Sequence, residues 1–403
     1  MQILKLVIVF AVMIGIIVMK QPLMVAAPVA AIVCWILNGV PFDTGIHAII
    51  HDLTAWSTIQ LIIMMYLITF MQSMLKARNG IEISQKALTR LFHNNWITCT
   101  IAPFIIGLLP AAPAVFISGD VIDEAVGDRL TREEKATAAS FFRHVSEAFM
   151  PTYAAILTAL ALTGFSAGNF VLGMLPMMII LVLIGCFFLY RGKVPVKAEG
   201  ERSADKANDF REFILGIWPI LAAIVLIVGF GMNVALTILI VTVAYFFTGR
   251  FTFEEVKPFF ISSLQPKIIG NTLAVYTFKA ILTSTDIISA LPEFFSRLPI
   301  PTFLVFMLIC FFGAIIAGSL TMTTTMIPVA FAAIPGSGLP LLCLLMCAVY
   351  AAMQISPTHV CLTLSCEHFN VPLSALIKRT IPIIVTFLCV AVLYYLGWTA
   401  ILA

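Results

Sequence analysis

The sequence predicts an all-α polytopic membrane protein with about 10 transmembrane helices and two re-entrant hairpins in an inverted-topology repeat. Hydrophobic residues make up 61% of the 403 residues and charged residues 11%, and the mean hydropathy is +1.07. Apolar runs of about 20 residues, the length that crosses a hydrocarbon core, recur from end to end. Two of these runs contain similar interruptions, Pro151-Thr152 and Pro357-Thr358, which lie 206 positions apart.

The composition narrows the class of function. A net charge of +3 is explained by basic residues in loops that fix membrane orientation, so no nucleic-acid partner is expected. The nine cysteines lack metal-ligand spacing, and the chain has no P-loop, HExxH or nucleophile-elbow motif. The sequence therefore predicts a secondary transporter rather than an enzyme, with a gradient of Na⁺ or H⁺ as its energy source and no cofactor.

Basic clusters predict the orientation, because Lys and Arg concentrate in cytoplasmic loops. With these clusters inside, both termini lie on the outer side. Residues 96–127 must then begin and end inside, as a hairpin whose tip is broken by Pro110 and Pro113. Residues 301–338 must begin and end outside, with breakers in the run from Ala317 to Pro328. Re-entrant hairpins are tolerated where protein or water surrounds their tips, which suggests a path for a solute.

The chain divides into two halves of the same order. Residues 1–190 are predicted to form three spans, the cytoplasmic-side hairpin and two spans; 211–403 repeat this order with opposite orientation. The charged segment 191–210 links them. At an offset of 206, Gly107 aligns with Gly313 and Pro176 with Pro382, as the two Pro-Thr breaks do. This pattern is typical of an inverted repeat.

The Pro-Thr breaks are expected near the middle of the bilayer. Pro151 lies about 16 residues into a helix predicted to begin at the capping box Thr131 to Glu134, and Pro357 repeats the arrangement from the other side. Proline frees a backbone carbonyl, and helix N-termini at this depth attract anions. Two breaks and two hairpin tips would thus form a solute site, although prolines that only kink helices for packing remain the alternative.

Several polar residues in these segments are candidate ligands. Hydroxyls can contact a carboxylate or Na⁺, or they can bond back to their own helix. Asp120 is expected to lie deepest of the first hairpin's carboxylates. Arg143 and Glu147, four residues apart, fit a side-chain ion pair in a helix, and His144 between them is the alternative as a proton carrier. Lys279 within a span could attract an anionic substrate or form an ion pair with an acidic residue, and the ion pair is favoured. The predicted substrate-binding residues are Pro113, Ser118, Thr152, Tyr153, Ser319, Thr321, Thr323, Thr324, Thr325, Thr358 and His359. The predicted ion-coupling residues are Asp120, Ser118, Thr325 and His359, with Ser118 and Thr325 as candidate Na⁺ ligands.

Three segments carry a family resemblance: GLLPAAPAVFISGDVIDEA, FFRHVSEAFMPTY and MQISPTHVCLTL. They resemble prokaryotic ion-transporter-superfamily permeases, nearest to an uncharacterised domain-of-unknown-function family related to gluconate permeases and citrate transporters. The resemblance implies an elevator-type homodimer in the inner membrane that moves organic anions with Na⁺ or H⁺. The family's hairpin tip is glycine-rich whereas this one reads Ala-Ala-Pro-Ala, so no particular substrate is implied.

The leading hypothesis is therefore an ion-coupled transporter of a small organic anion, a carboxylate or sugar acid, with the lipid bilayer and a second copy as its other partners. A cation/proton antiporter is the first alternative, in which Asp120 and His359 would matter most. A lipid-handling membrane protein is the second alternative, and it requires a site lined by apolar side chains and open to the bilayer.

Overall fold

The computed structural model describes residues 2–19, 21–92, 94–108, 114–196, 205–285, 299–357 and 359–402. No β-strand occurs among these residues. The first half contains α1 (Gln2–Val18), α2 (Leu23–Asn38), α3 (Phe42–Thr54), α4 (Trp56–Ala77), α5 (Gly80–Phe92), α6 (Asn95–Gly107), α7 (Ala114–Val126), α8 (Arg132–His144), α9 (Ala154–Thr163) and α10 (Ala167–Leu189). The second half contains α11 (Lys206–Ile224), α12 (Val234–Thr248), α13 (Phe253–Ser262), α14 (Pro266–Thr283), α15 (Thr302–Ala317), α16 (Ser319–Ala333), α17 (Gly338–Met353), α18 (Val360–Phe369) and α19 (Leu373–Leu402).

Four helical segments are long and apolar enough to cross a membrane by length and composition. They are Phe42–Ala77, Ala167–Leu189, Lys206–Gly229 and Leu373–Leu402. Shorter apolar helices of 10–17 residues accompany them in both halves. This composition is that of a multi-pass membrane protein, while the expected total of about 10 spans stays a prediction.

Both predicted helix breaks are present. After α8 the chain makes a 3₁₀ turn, Val145–Ala148, and Pro151 lies between this turn and α9. Pro357 lies in the same way between α17 and α18. The predicted capping box that starts α8 is also confirmed, because the Glu134 N–H donates to the Thr131 hydroxyl and the Glu134 carboxylate accepts from the Thr131 N–H.

Helices pack together where the hairpins are predicted: α6 against α7, and α15 against α16. The first tip, with Pro110 and Pro113, lies outside the described residues. In the second pair the turn is made by Gly318 alone, whose φ of 84° is in the region that side chains avoid. Gly318 belongs to the run from Ala317 to Pro328 in which breakers are expected, and the threonines after it are helical. The re-entrant character of this hairpin stays a prediction.

The helices pack as two groups. Helices α1–α5 and α11–α14 contact mainly one another, and we call them the α4 group. Helices α6–α10 and α15–α19 form the second set, the α8 group. Contacts between the groups are fewer and involve α4 with α9, α5 with α6, α1 with α15, α14 with α16, and the π-helical turn Val225–Gly229 with α10. Each group thus takes the first or the last helices of both halves.

Lys279 forms an ion pair between two helices of the α4 group. Its ammonium lies 3.4 Å from a carboxylate oxygen of Asp52, which joins α14 to α3. The predicted ion pair of Lys279 is therefore confirmed, and a charge within an apolar helix finds its partner in the other half of the chain.

Candidate functional site

A cavity of ≈ 390 Å³ lies between the two helix groups. Its α4-group wall consists of Met65, Ile68, Thr69 and Gln72 from α4, together with Gln265. The opposite wall comes from both helix breaks, the start of α16 and the face of α17. This volume falls within the range of roughly 300–1,000 Å³ that is typical of small-molecule sites.

The first helix break supplies the charged groups of the cavity. Arg143 and Glu147 both line it, with Thr152 and Tyr153 beside them. Arg143 is only 1% exposed, so its guanidinium is an almost fully buried cation. A buried charge interacts more strongly with a ligand than an exposed one, because less water screens it.

His144 lies next to Arg143 and is fully buried. Its Nδ1 contacts the Ser140 carbonyl, which can only accept, so Nδ1 carries the hydrogen. Its Nε2 lies 3.0 Å from the Arg143 Nη1, which can only donate, so Nε2 is the acceptor. Both ring nitrogens are therefore used by the neutral imidazole, which supports the guanidinium without adding charge.

The second helix break brings His359 and Cys361 to the same place. The His359 ring packs edge-on against the His144 ring at 4.6 Å, and its Nδ1 donates to the Met353 carbonyl at 2.9 Å. The ligand atoms of His144, His359 and Cys361 lie within 4.8 Å of one another, a set of atoms that zinc accepts. However, Arg143 Nη1 is 3.6 Å from Cys361 Sγ as well as close to His144, so a side-chain cation already fills this space.

Gly107, the last residue of α6, packs against the backbone of Arg143. An added Cβ would lie 1.8 Å from the backbone oxygen of Arg143. The Tyr153 hydroxyl donates to the Gly107 carbonyl, and it also lies 3.2 Å from the Ser146 hydroxyl. The absence of a side chain at Gly107 therefore lets α6 pack directly beneath the residues that position Arg143.

Four predicted substrate-binding residues line the cavity: Thr152, Tyr153, Ser319 and His359. The Thr152 hydroxyl is buried without a hydrogen-bond partner among the described residues, so it can serve a ligand. Pro113 and Thr358 lie outside the described residues. The structure therefore brings predicted residues from both breaks and from the start of α16 into one site.

The remaining threonines of α16 lie behind the cavity wall. Thr324 donates to the Leu320 carbonyl at 2.8 Å and Thr325 to the Thr321 carbonyl at 2.8 Å, which is the back-bonding alternative. The Thr323 hydroxyl faces the Met346 sulfur at 3.9 Å. None of these threonines, nor Thr321, belongs to the described cavity lining. Their hydroxyls therefore make contacts within the protein rather than facing the cavity.

Two predicted coupling residues on α7 are also away from the cavity. Ser118 is fully buried, and its hydroxyl has no hydrogen-bond partner within the described part of the chain. The Asp120 side chain is 73% exposed and its carboxylate lies 3.4 Å from His368 Nε2. Asp120 therefore faces α18 and not the cavity, while its expected depth in the membrane stays a prediction.

Sequence reasoning did not place Arg143 and Glu147 at the cavity, because their spacing also fits a structural ion pair within one helix. The available signal was their depth: both lie close to Pro151 in a run that should cross the membrane, where charged residues are usually functional. Tyr350, Cys361, Gln72 and Gln265 were missed because they contribute to the site only through tertiary packing.

The chain matches the family described as "Protein of unknown function (DUF401)" over residues 3–397. None of the curated proteins matches it. Among solved structures, it is similar to the YdaH transporter of Alcanivorax borkumensis, with a TM-score of 0.48 and 12% identity over 88% of this chain and 87% of that one. The expected resemblance to an uncharacterised family is confirmed, while its relation to gluconate permeases and citrate transporters stays a prediction. The match over nearly the whole length shows that the chain belongs to the DUF401 family.

Proposed function

We propose that this protein is a secondary active transporter that moves a small organic anion, a carboxylate or sugar acid, coupled to Na⁺ or H⁺. The observation that carries this proposal is the buried Arg143 in a cavity shared by two helix breaks and two helix groups. A guanidinium binds a carboxylate through two parallel hydrogen bonds, which provides geometry as well as charge.

The packing supports an elevator mechanism. The α8 group carries both breaks and most of the cavity wall, whereas the α4 group closes the cavity mainly through α4. Sliding of one group past the other would carry the site across the membrane without dismantling it.

The spacing of helix starts in the two halves of the chain supports the inverted repeat that an elevator mechanism uses. Helices α9 and α18 begin at residues 154 and 360, and helices α10 and α19 begin at 167 and 373. Both pairs have the offset of 206 that aligns the Pro-Thr breaks. The family resemblance further supports a homodimer in a prokaryotic inner membrane. The basic clusters support re-entrant hairpins and both termini on the outer side.

A thermal-shift screen of the purified protein in detergent tests this function. The probes are gluconate, citrate, succinate and propionate, each with and without Na⁺ and across pH. We expect one anion class to raise the apparent melting temperature, since a ligand at about 100 times its Kd stabilises the folded state by about 2.7 kcal/mol. A gradient of the ion that enhances this effect should then drive uptake into proteoliposomes.

Arg143→Gln should abolish the anion response. The matched control is Arg211→Gln, which removes an exposed arginine at the start of α11 and should leave the response intact. Stabilisation by Na⁺ without any anion would instead support the cation/proton antiporter. A response to none of these probes would contradict the proposal and favour the lipid-handling alternative.

A further inference from the structure

The charges of the ionised groups in the cavity nearly cancel one another. Among the described residues that line it, Arg143 and Glu147 carry opposite full charges, and His359 is the remaining residue that can gain a charge near neutral pH. The wall is otherwise formed by neutral polar groups and long apolar side chains, among them Met65, Leu157 and Met346.

We infer that this site binds a monocarboxylate together with one proton, and that Glu147 carries the proton. This inference rests on the proposed function and narrows its substrate class and its coupling ion. It makes transport a symport in which one negative and one positive charge move together, so that the cycle is electrically neutral.

The charge balance gives the reason. With Glu147 ionised, a monocarboxylate that contacts Arg143 would leave the cavity with a net charge of −1 in a poorly hydrated space, which is unfavourable. A proton from water that adds to the Glu147 carboxylate removes its charge, so the substrate becomes the only anion beside Arg143. Binding of the proton and of the substrate therefore favour each other.

The groups that face Glu147 leave it as the best proton acceptor. From α8 these groups are Arg143 and His144, whose Nε2 is 3.8 Å from the Glu147 carboxylate. The same space is surrounded by Tyr153 from the first break, His359 from the second break, Tyr350 from α17 and Cys361 from α18. Helices α6 and α10, which also pack on this turn, contain no charged residue.

The two histidines are less suited to this role. A proton on His144 Nε2 would point at the Arg143 guanidinium, which makes the imidazolium unfavourable. His359 donates from Nδ1 to the Met353 carbonyl and also hydrogen-bonds the Cys361 side chain. It is nevertheless a titratable group of the same cavity, so it is the alternative carrier that an experiment must distinguish.

The single guanidinium restricts the substrate. A dicarboxylate or tricarboxylate would place further negative charge in a cavity whose described lining offers no second permanent cation. A monocarboxylate with an apolar body satisfies both features, because the carboxylate contacts Arg143 and the body contacts the methionine and leucine side chains.

Binding of propionate, benzoate, succinate and citrate to the purified protein in detergent tests this inference. Measurements are made above about pH 6, where the free acids are ionised. We expect propionate or benzoate to bind, with a Kd that falls by about tenfold for each unit of decrease in pH. A pH dye in weak buffer should report uptake of about one proton for each monocarboxylate bound.

Three variants assign the proton. Glu147→Gln should bind the monocarboxylate with a Kd independent of pH and without proton uptake, whereas Glu147→Asp should keep the pH dependence. The matched control Glu254→Gln alters an exposed glutamate on α13 and should behave as the wild type. Loss of the pH dependence in His359→Gln, but not in Glu147→Gln, would overturn the assignment to Glu147.

The outcomes distinguish failure of this inference from failure of the proposed function. If the wild type binds an anion without proton uptake, this inference fails and the proposed transport of anions stands. Binding of citrate or succinate alone would overturn the monocarboxylate class. If no anion binds at any pH, the proposed function fails, and this inference fails with it.

Discussion

At the scale of the residue, the site depends on how Arg143 is held. Its guanidinium nitrogen contacts a neutral imidazole and a sulfur atom, and its backbone carbonyl lies directly over Gly107. A buried arginine with a fixed side chain needs little rearrangement when a carboxylate binds. Small changes in the backbone beneath it should therefore reduce affinity.

Gly107→Ala should disturb the site. The new methyl group would collide with the Arg143 carbonyl, and displacement of packed backbone typically costs about 1–3 kcal/mol. We expect a lower apparent melting temperature and a loss of anion binding of more than about tenfold, measured by thermal shift and by titration. The control is Gly15→Ala, where an added Cβ has nothing within 4 Å. If Gly107→Ala binds the anion normally, close packing at this glycine does not position Arg143.

At the scale of the element, one arginine joins the two halves of the α4 group. Arg78 at the end of α4 donates to the carbonyl groups of Gly249 and Arg250, which follow α12. The same guanidinium donates to both oxygens of Glu255 at 3.1 and 3.2 Å and lies over the Phe251 ring. These hydrogen bonds, with the Thr252 N–H, lower the pKa of the Glu255 carboxyl to about 2.

This contact predicts a pH dependence. Because the pKa of Glu255 is lowered in the folded state, its stabilising contribution is present above the ordinary pKa of 4.5 and is lost as the pH falls toward about 2. Glu255→Gln should therefore lower the apparent melting temperature at neutral pH, and the difference from the wild type should shrink below about pH 4. A difference of equal size at acidic and neutral pH would contradict this explanation.

At the scale of the whole molecule, two helix groups meet along a limited boundary. One contact across it is between α10 and the π-helical turn: a Cβ at Gly168 would lie 3.6 Å from the Cα of Val228. That separation is compatible with a disulfide between introduced cysteines. A bond at this point would prevent the groups from sliding while leaving the cavity residues unchanged.

The double variant Gly168→Cys/Val228→Cys tests that motion. After oxidation we expect uptake of the transported anion into proteoliposomes to fall to background, while anion binding in detergent stays within about twofold of the wild type. Reductant should restore uptake, and Gly168→Cys alone should not respond to oxidation. Full uptake by the cross-linked protein would exclude an elevator movement across this contact.

The all-helical class and several local features could be predicted from the sequence, because they follow from local chemistry. The capping box at Thr131 and the breaks at Pro151 and Pro357 depend on residues that are close in the chain, and the structure contains all three. Local sequence does not decide between the two roles of a hydroxyl residue, ligand contact and back-bonding to its own helix. The hydroxyls of Thr324 and Thr325 satisfy their own helix, and Gly318 alone makes the turn before them.

Local patterns in the sequence were enough to predict a helical membrane protein and the places where two of its helices break. They also predicted that the residues after both breaks lie together, and Thr152, Tyr153 and His359 do line one cavity. Hydropathy, charge and proline act locally, so their pattern is readable in one dimension. Tertiary packing places Arg143 and Glu147 at the cavity, Asp120 away from it, and α4 across it. These outcomes depend on contacts between helices distant in the chain, which no local pattern specifies.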